Sequence, residues 1–298
     1  MTELKEILTN SYRKAVTDYF ENNKMAFDND LKKLSHAEQE EAIYQMIVRY
    51  ASEKIGMIEK WSGTPLDELQ GLTPAQVIED MHELDQVFEL FTHMACYADE
   101  ELPILMIYKL QQFGQEAVTR LFRLAMENRE GQPPADYIFN AAVSALGSMK
   151  LDECVERLIE LADQVTKAPQ LEQIEDALKR HRERVIEPLL KRLENPKWDK
   201  VEAVLLYALA YGGAEAKDDR IYRLLRSAFR TMEDKTAPIL CFAVFGDGRA
   251  VPMLRSYLEK NADDMPDRLF HEIIGTIRGL GGNADDFMQH HHHHHHHE

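Results

Sequence analysis

Apolar residues recur at three- and four-residue spacing along nearly the whole chain, a helical period that points to an all-α protein. In "EQEEAIYQMIVRYASEKIGMIEKW" this period places Ile43, Met46, Ile47, Tyr50, Ala51, Ile55 and Ile58 on one face of a long helix. After about residue 99 the pattern falls into pairs of shorter segments, interrupted at Phe113-Gly114, Gly147, Gly212-Gly213, Gly246 and Gly281-Gly282. A unit without glycine, "IEDALKRHRERVIEPLLKRLENP", fills the long gap and turns near His181, so the breaks recur roughly every 31 to 35 residues.

The stretch "FGDGRAVPMLRSYLEK", Phe245 to Lys260, shows why a run of helix formers stops and restarts at once. Gly246 accepts the left-handed backbone of a helix C-cap, where a side chain carries a steric cost. Asp247 can accept hydrogen bonds from the amides that open the next helix. Pro252 sits in that helix's first turn, where a missing amide costs little. A helix pair of this size cannot hide its own apolar face and must stack on its neighbours.

"FGDGRAVPMLRSYLEK" resembles the HEAT-like repeat of the phycocyanobilin-lyase type, with its Gly-Asp turn, small basic-alanine step and Val-Pro-x-Leu helix start, and "GTIRGLGGNADDF" is similar to the turn of another such unit. The resemblance implies an α-solenoid of stacked antiparallel helix pairs over residues 99–287. Such repeats serve many unrelated functions, so it does not by itself imply a lyase. The region 1–98 is expected to be a helical cap, in which Thr73 as N-cap, Pro74 at the first helical position and Gln76 three residues on form a capping box. Residues 288–298 form a His-rich tail.

Composition narrows the classes of partner. The formal net charge of −17 argues against tracking nucleic-acid backbone or anionic lipid, both of which need clustered Lys and Arg. No apolar run reaches the roughly 20 residues of a membrane helix, and the N-terminal residues lack an export signal, which leaves a cytoplasmic protein as the expectation. Cys96, Cys154 and Cys241 have no paired spacing and read as reduced thiols among apolar helical residues.

Candidate chemistry is sparse. Some HEAT-like proteins are di-iron hydroxylases whose metals are held by repeated His-Glu pairs; here only His82-Glu83 and His271-Glu272 occur, too few to converge on two metals. A bilin-lyase reading has Cys154 and Cys241 by type, without a neighbouring histidine in sequence. Against the acidic background two basic runs stand out: Lys179, Arg180, His181, Arg182, Arg184, Lys191 and Arg192, then Arg220, Arg223, Arg226 and Arg230 at helical spacing. They read either as solvated faces neutralised by Glu183, Glu187 and Asp219, or as a docking stripe on the concave solenoid face, with Arg180, Arg184, Arg223 and Arg226 as the partner contacts.

The acidic surplus favours a basic partner protein, whereas the arginine stripe would take an acidic peptide. The expected function is a non-enzymatic protein–protein interaction scaffold or adaptor, with no cofactor and an oligomeric state left open. The alternatives are a HEAT-like metal-dependent enzyme and a metal-binding protein working through its tail. His290, His291, His292, His293, His294, His295, His296 and His297 read as a purification tag; a native tract would bind nickel or zinc through neutral imidazoles.

Overall fold

A computed structural model describes residues 2–33, 39–97 and 102–289, and every regular element among them is helical. No helix among the described residues is long and apolar enough to cross a membrane. The boundary expected near residue 98 and the tract from His290 to His297 lie outside the described residues. The chain packs as two units, Met1–Ala145 and Leu146–Glu298.

The first unit opens with two long helices, α1 (Thr2–Lys32) and α2 (Gln39–Ser62), which pack against each other. α4 (Leu84–Tyr97) covers the early turns of α1, burying Leu8, Tyr12 and Val16. Trp61 closes this end: its indole meets the Tyr12 ring edge-on at 5.1 Å, and Nε1–H donates to Ser11 Oγ at 3.0 Å. Between α2 and α4, α3 (Pro74–Glu79) begins with the expected capping box, Gln76 N–H donating to Thr73 Oγ1 and Thr73 N–H donating to Gln76 Oε1.

The single apolar face read for α2 divides in two. Met46 is buried and Ile43, Tyr50 and Met57 are half-buried, whereas Tyr44, Ile47, Val48 and Ile55 are 43% to 65% exposed. The reason is geometric: one partner helix covers only one stripe, and α2 carries two. α5 (Ile104–Gln111), α6 (Gln115–Glu127) and most of α7 (Ala135–Ser148) complete the unit.

In the second unit the helices alternate strictly: α8 (Asp152–Ala162), α9 (Ala168–Arg180), α10 (Ile186–Arg192), α11 (Lys200–Gly212), α12 (Asp219–Thr231), α13 (Thr236–Phe245), α14 (Val251–Asn261) and α15 (Asp267–Gly279). The first helices of successive pairs, α9, α11, α13 and α15, pack one on the next, and each second helix lies against the first helix that follows it. This arrangement explains the sequences. α11 has neighbours on several sides and buries Leu205, Leu206, Ala208, Leu209 and Ala210. α12 buries a single stripe, Ile221, Tyr222, Leu225, Ala228 and Phe229, and turns its arginines outward.

The breaks fall where the sequence places them, but Gly147 plays a different part from Gly246. Gly246 is the C-cap of α13 at φ 76°, its N–H donating to Phe242 O, and Asp247 then accepts from Arg249 N–H at 3.0 Å as expected. Gly147, read as a break, lies inside the last turn of α7. A methyl group there would stand 2.8 Å from Ala177 Cα, so this glycine lets α7 and α9 approach closely rather than ending a helix.

The unit without glycine turns at His181, as its position suggested. His181 caps α9, is 3% exposed, and pairs through Nε2 with Leu146 O at 2.8 Å. Burial holds its imidazole below the ordinary histidine pKa, so the neutral ring with Nε2–H donating to the carbonyl is the form this site favours.

Candidate functional site

The first arginine run lies at the turn between α9 and α10 and along α10, and the second runs along α12. At the start of α12 the Asp218 side chain accepts from Arg220 N–H, and its carboxylate pairs with the Arg220 guanidinium at 2.8 Å. The same guanidinium reaches Glu187 at the start of α10, at 2.5 and 3.1 Å to the two oxygens. Asp219 joins Arg223 at 3.0 Å and Arg249 at 2.6 Å, and Arg249 also holds Asp247 at 2.7 Å. Arg249 lies 4.1 Å from the Tyr222 ring centroid, and Tyr222 O–H donates back to Arg249 O at 3.1 Å.

These bridges carry the period of the chain. Arg180–Ser148, Glu187–Arg220, Asp219–Arg249 and Arg255–Asp286 join residues 32, 33, 30 and 31 positions apart, so each ties one helix pair to the next. Hydrogen bonds from Arg220 hold the carboxyls of Glu187 and Asp218 below their ordinary pKa, and hydrogen bonds from Arg249 do the same for Asp219 and Asp247.

The four arginines expected to contact a partner fall into two sets. Arg180, at the end of α9, donates to Ser148 Oγ at 2.8 Å and faces Asp176 at 3.6 Å, while Arg184 faces Asp152 at 3.8 Å. On α12, Arg223 pairs with Asp219, one turn earlier, and both side chains are more than half exposed. Arg226 lies 6.0 Å from the Tyr222 ring centroid, and among the described residues neither Arg226 nor Arg230 forms an ion pair. The half of α12 beyond Arg223 therefore shows guanidinium groups that no side-chain carboxylate of the described residues bridges. Arg230, named in the basic run but not among the expected contacts, belongs with this set; its helical spacing was the available signal.

The other candidates are dispersed. His82 is exposed beside Asp80 at 3.5 Å in the first unit, and His271-Glu272 lies on α15 in the second. Among the described residues no group of three or more His, Cys, Asp or Glu side chains is arranged to hold a metal ion. Cys96 is half-buried, and Cys154 and Cys241 are buried. Burial pushes the Cys154 thiol up to about 12 and raises that of Cys241, which keeps both protonated at neutral pH rather than as nucleophilic thiolates.

One feature had no sequence signal. In the first unit an open groove of about 400 Å³ is lined by residues of α4 and α6, including Asp85, Phe88, Arg120 and Arg123. Arg120 pairs with Asp85 and lies 4.6 Å from the Phe88 ring centroid. Opposite charges meet there, so the groove has no single-sign field to select a charged ligand.

No protein-family model matches the chain, and neither a curated protein nor a solved structure matches it. The packing of consecutive helix pairs is that of a helical repeat-like fold.

Proposed function

We propose that the protein is a non-enzymatic interaction scaffold, a HEAT-like solenoid whose second unit docks an acidic segment of a partner protein along α12. The observation that carries the reading is the uneven use of charge on that helix. Asp218 and Asp219 neutralise its N-terminal arginines, and Arg226 and Arg230 beyond them form no ion pair among the described residues. Arginine suits such a surface because its planar fork pairs carboxylates bidentately.

Arg223 contributes by exchange: its partner Asp219 is exposed and only one turn away, a weak, solvent-screened pairing that a better-placed carboxylate can replace. Arg180 and Arg184 would stand at the edge of the surface, where Ser148, Asp176 and Asp152 already engage them. The ties between successive helix pairs support the same reading, since a surface ordered before binding loses less entropy on binding.

Capture from the native extract tests this, comparing the wild-type chain with Arg223→Glu/Arg226→Glu/Arg230→Glu. Loss of a stoichiometric, salt-sensitive partner from the variant, with unchanged helicity and melting temperature, is the supporting result. A partner retained at full occupancy sinks the reading.

A further inference from the structure

The outer stripe of α2 is a second packing seam, separate from the one that meets α1. Tyr44, Ile47, Val48, Ala51, Ile55 and Ile58 fall within about 100° of helical arc. Tyr44, Val48, Ala51, Ile55 and Ile58 are spaced four, three, four and three apart, which is the a/d alternation of a coiled coil, with β-branched Val48 and Ile55 at a. Three of these five are among the most exposed large apolar groups of the chain: Tyr44 65%, Ile55 57% and Val48 43%. Ile47 flanks them at 53%.

We propose that this seam is covered by the α2 helix of a second copy of the chain, the two helices running parallel. Charge complementarity supports a second copy as the occupant. Lys54 occupies the flanking g position and Glu59 the e position five residues on, so a parallel two-fold places Lys54 of each copy beside Glu59 of the other. β-branched residues at a favour two strands in the parallel arrangement, and the small Ala51 at a central d position lets the helices approach. Lys54 is already held on the seam's α1 side, 5.3 Å from the Phe20 ring centroid.

The seam spans two heptads, about 21 Å, and buries less than the roughly 800 Å² per partner of a standard interface. Association is therefore concentration-dependent. Sedimentation of the full chain across the micromolar range should show a shift from the 34.5 kDa monomer toward twice that mass. Ile55→Glu should weaken the dimer about tenfold or more while leaving helicity and melting temperature unchanged, because Ile55 contacts solvent in the monomer. Glu59→Lys should weaken it, and adding Lys54→Glu should restore it.

Direction is read separately. Tyr44→Cys in a Cys96→Ser background should form a 44–44 disulfide under mild oxidation, which a parallel pair allows and a reversed pair does not. A monomer at every concentration, or a dimer indifferent to Ile55→Glu, overturns the interface. A dimer that fails to cross-link at position 44 overturns the parallel arrangement.

Discussion

The α1–α2 hairpin and the helix pairs of the second unit use the same apolar vocabulary to different ends. α13 reads "TAPILCFAVF" and lies between α11 and α15, so Ile239, Cys241, Phe242 and Phe245 are all buried. α2 is as rich in isoleucine and methionine, yet beyond Met46 and Trp61 its side chains stay at least partly accessible. The difference lies in neighbours. A helix in a row has a partner on each side, whereas α2 has α1 along one side and leaves its second stripe in water. Apolar content therefore does not by itself measure how much a helix contributes to a core.

The comparison breaks most directly through truncation. Phe242→Ala, at a site 1% exposed, should destabilise by about 3–5 kcal/mol in denaturant unfolding. Ile47→Ala on the hairpin should change monomer stability by no more than about 0.5 kcal/mol. Equal effects would mean that the hairpin's outer stripe is covered within the monomer after all.

Two glycines sharpen the contrast. Gly147→Ala forces a methyl against the α9 backbone and should cost about 1–3 kcal/mol. Gly56, in mid-helix on α2 with nothing within 4 Å of an added Cβ, should gain about 0.5–1 kcal/mol on replacement by alanine. Thermal unfolding of both variants reads opposite signs if the packing is as described.

Acid separates the second unit's buried histidine from its surface charges. Burial lowers the His181 pKa in the folded state, so the unfolded chain takes up that proton first as pH falls. The associated stability is complete above the ordinary histidine range, about 6.5, and is lost as pH drops below it. His181→Gln should flatten unfolding free energy between pH 7 and pH 5. The carboxylates of Asp218 and Asp219, whose folded pKa values are depressed by Arg220 and Arg249, act in a lower window: their stabilisation is present above about pH 4 and fades below it. Smallest of all, Arg223→Ala should alter stability by less than about 0.5 kcal/mol, since its pair is exposed and local.

Much of the fold was legible because it is local. The Thr73–Gln76 capping box and the Gly246-Asp247 turn stand as their residues predict. A second capping box, Asp199 with Glu202, follows the same logic and went unread, although Asp-x-x-Glu was there to find. Gly147 was located correctly but misread in role, since a glycine that ends a helix and one that admits a neighbour look alike in sequence. The candidate site was half legible. Helical spacing put the α12 arginines on one face, but their bridging to Glu187 and Arg249's hold on Asp219 depend on residues about thirty positions away.

The sequence by itself determined the all-helical class, the rhythm of breaks and the caps, because helical period, glycine and proline backbone limits and short side-chain caps act within a few residues. Only the tertiary structure decided which apolar stripes are covered, which glycines admit a neighbouring helix, and which arginines are already paired. Those outcomes follow from which helix lies alongside, and the second stripe of α2 is exposed because no helix of its own unit among the described residues covers it.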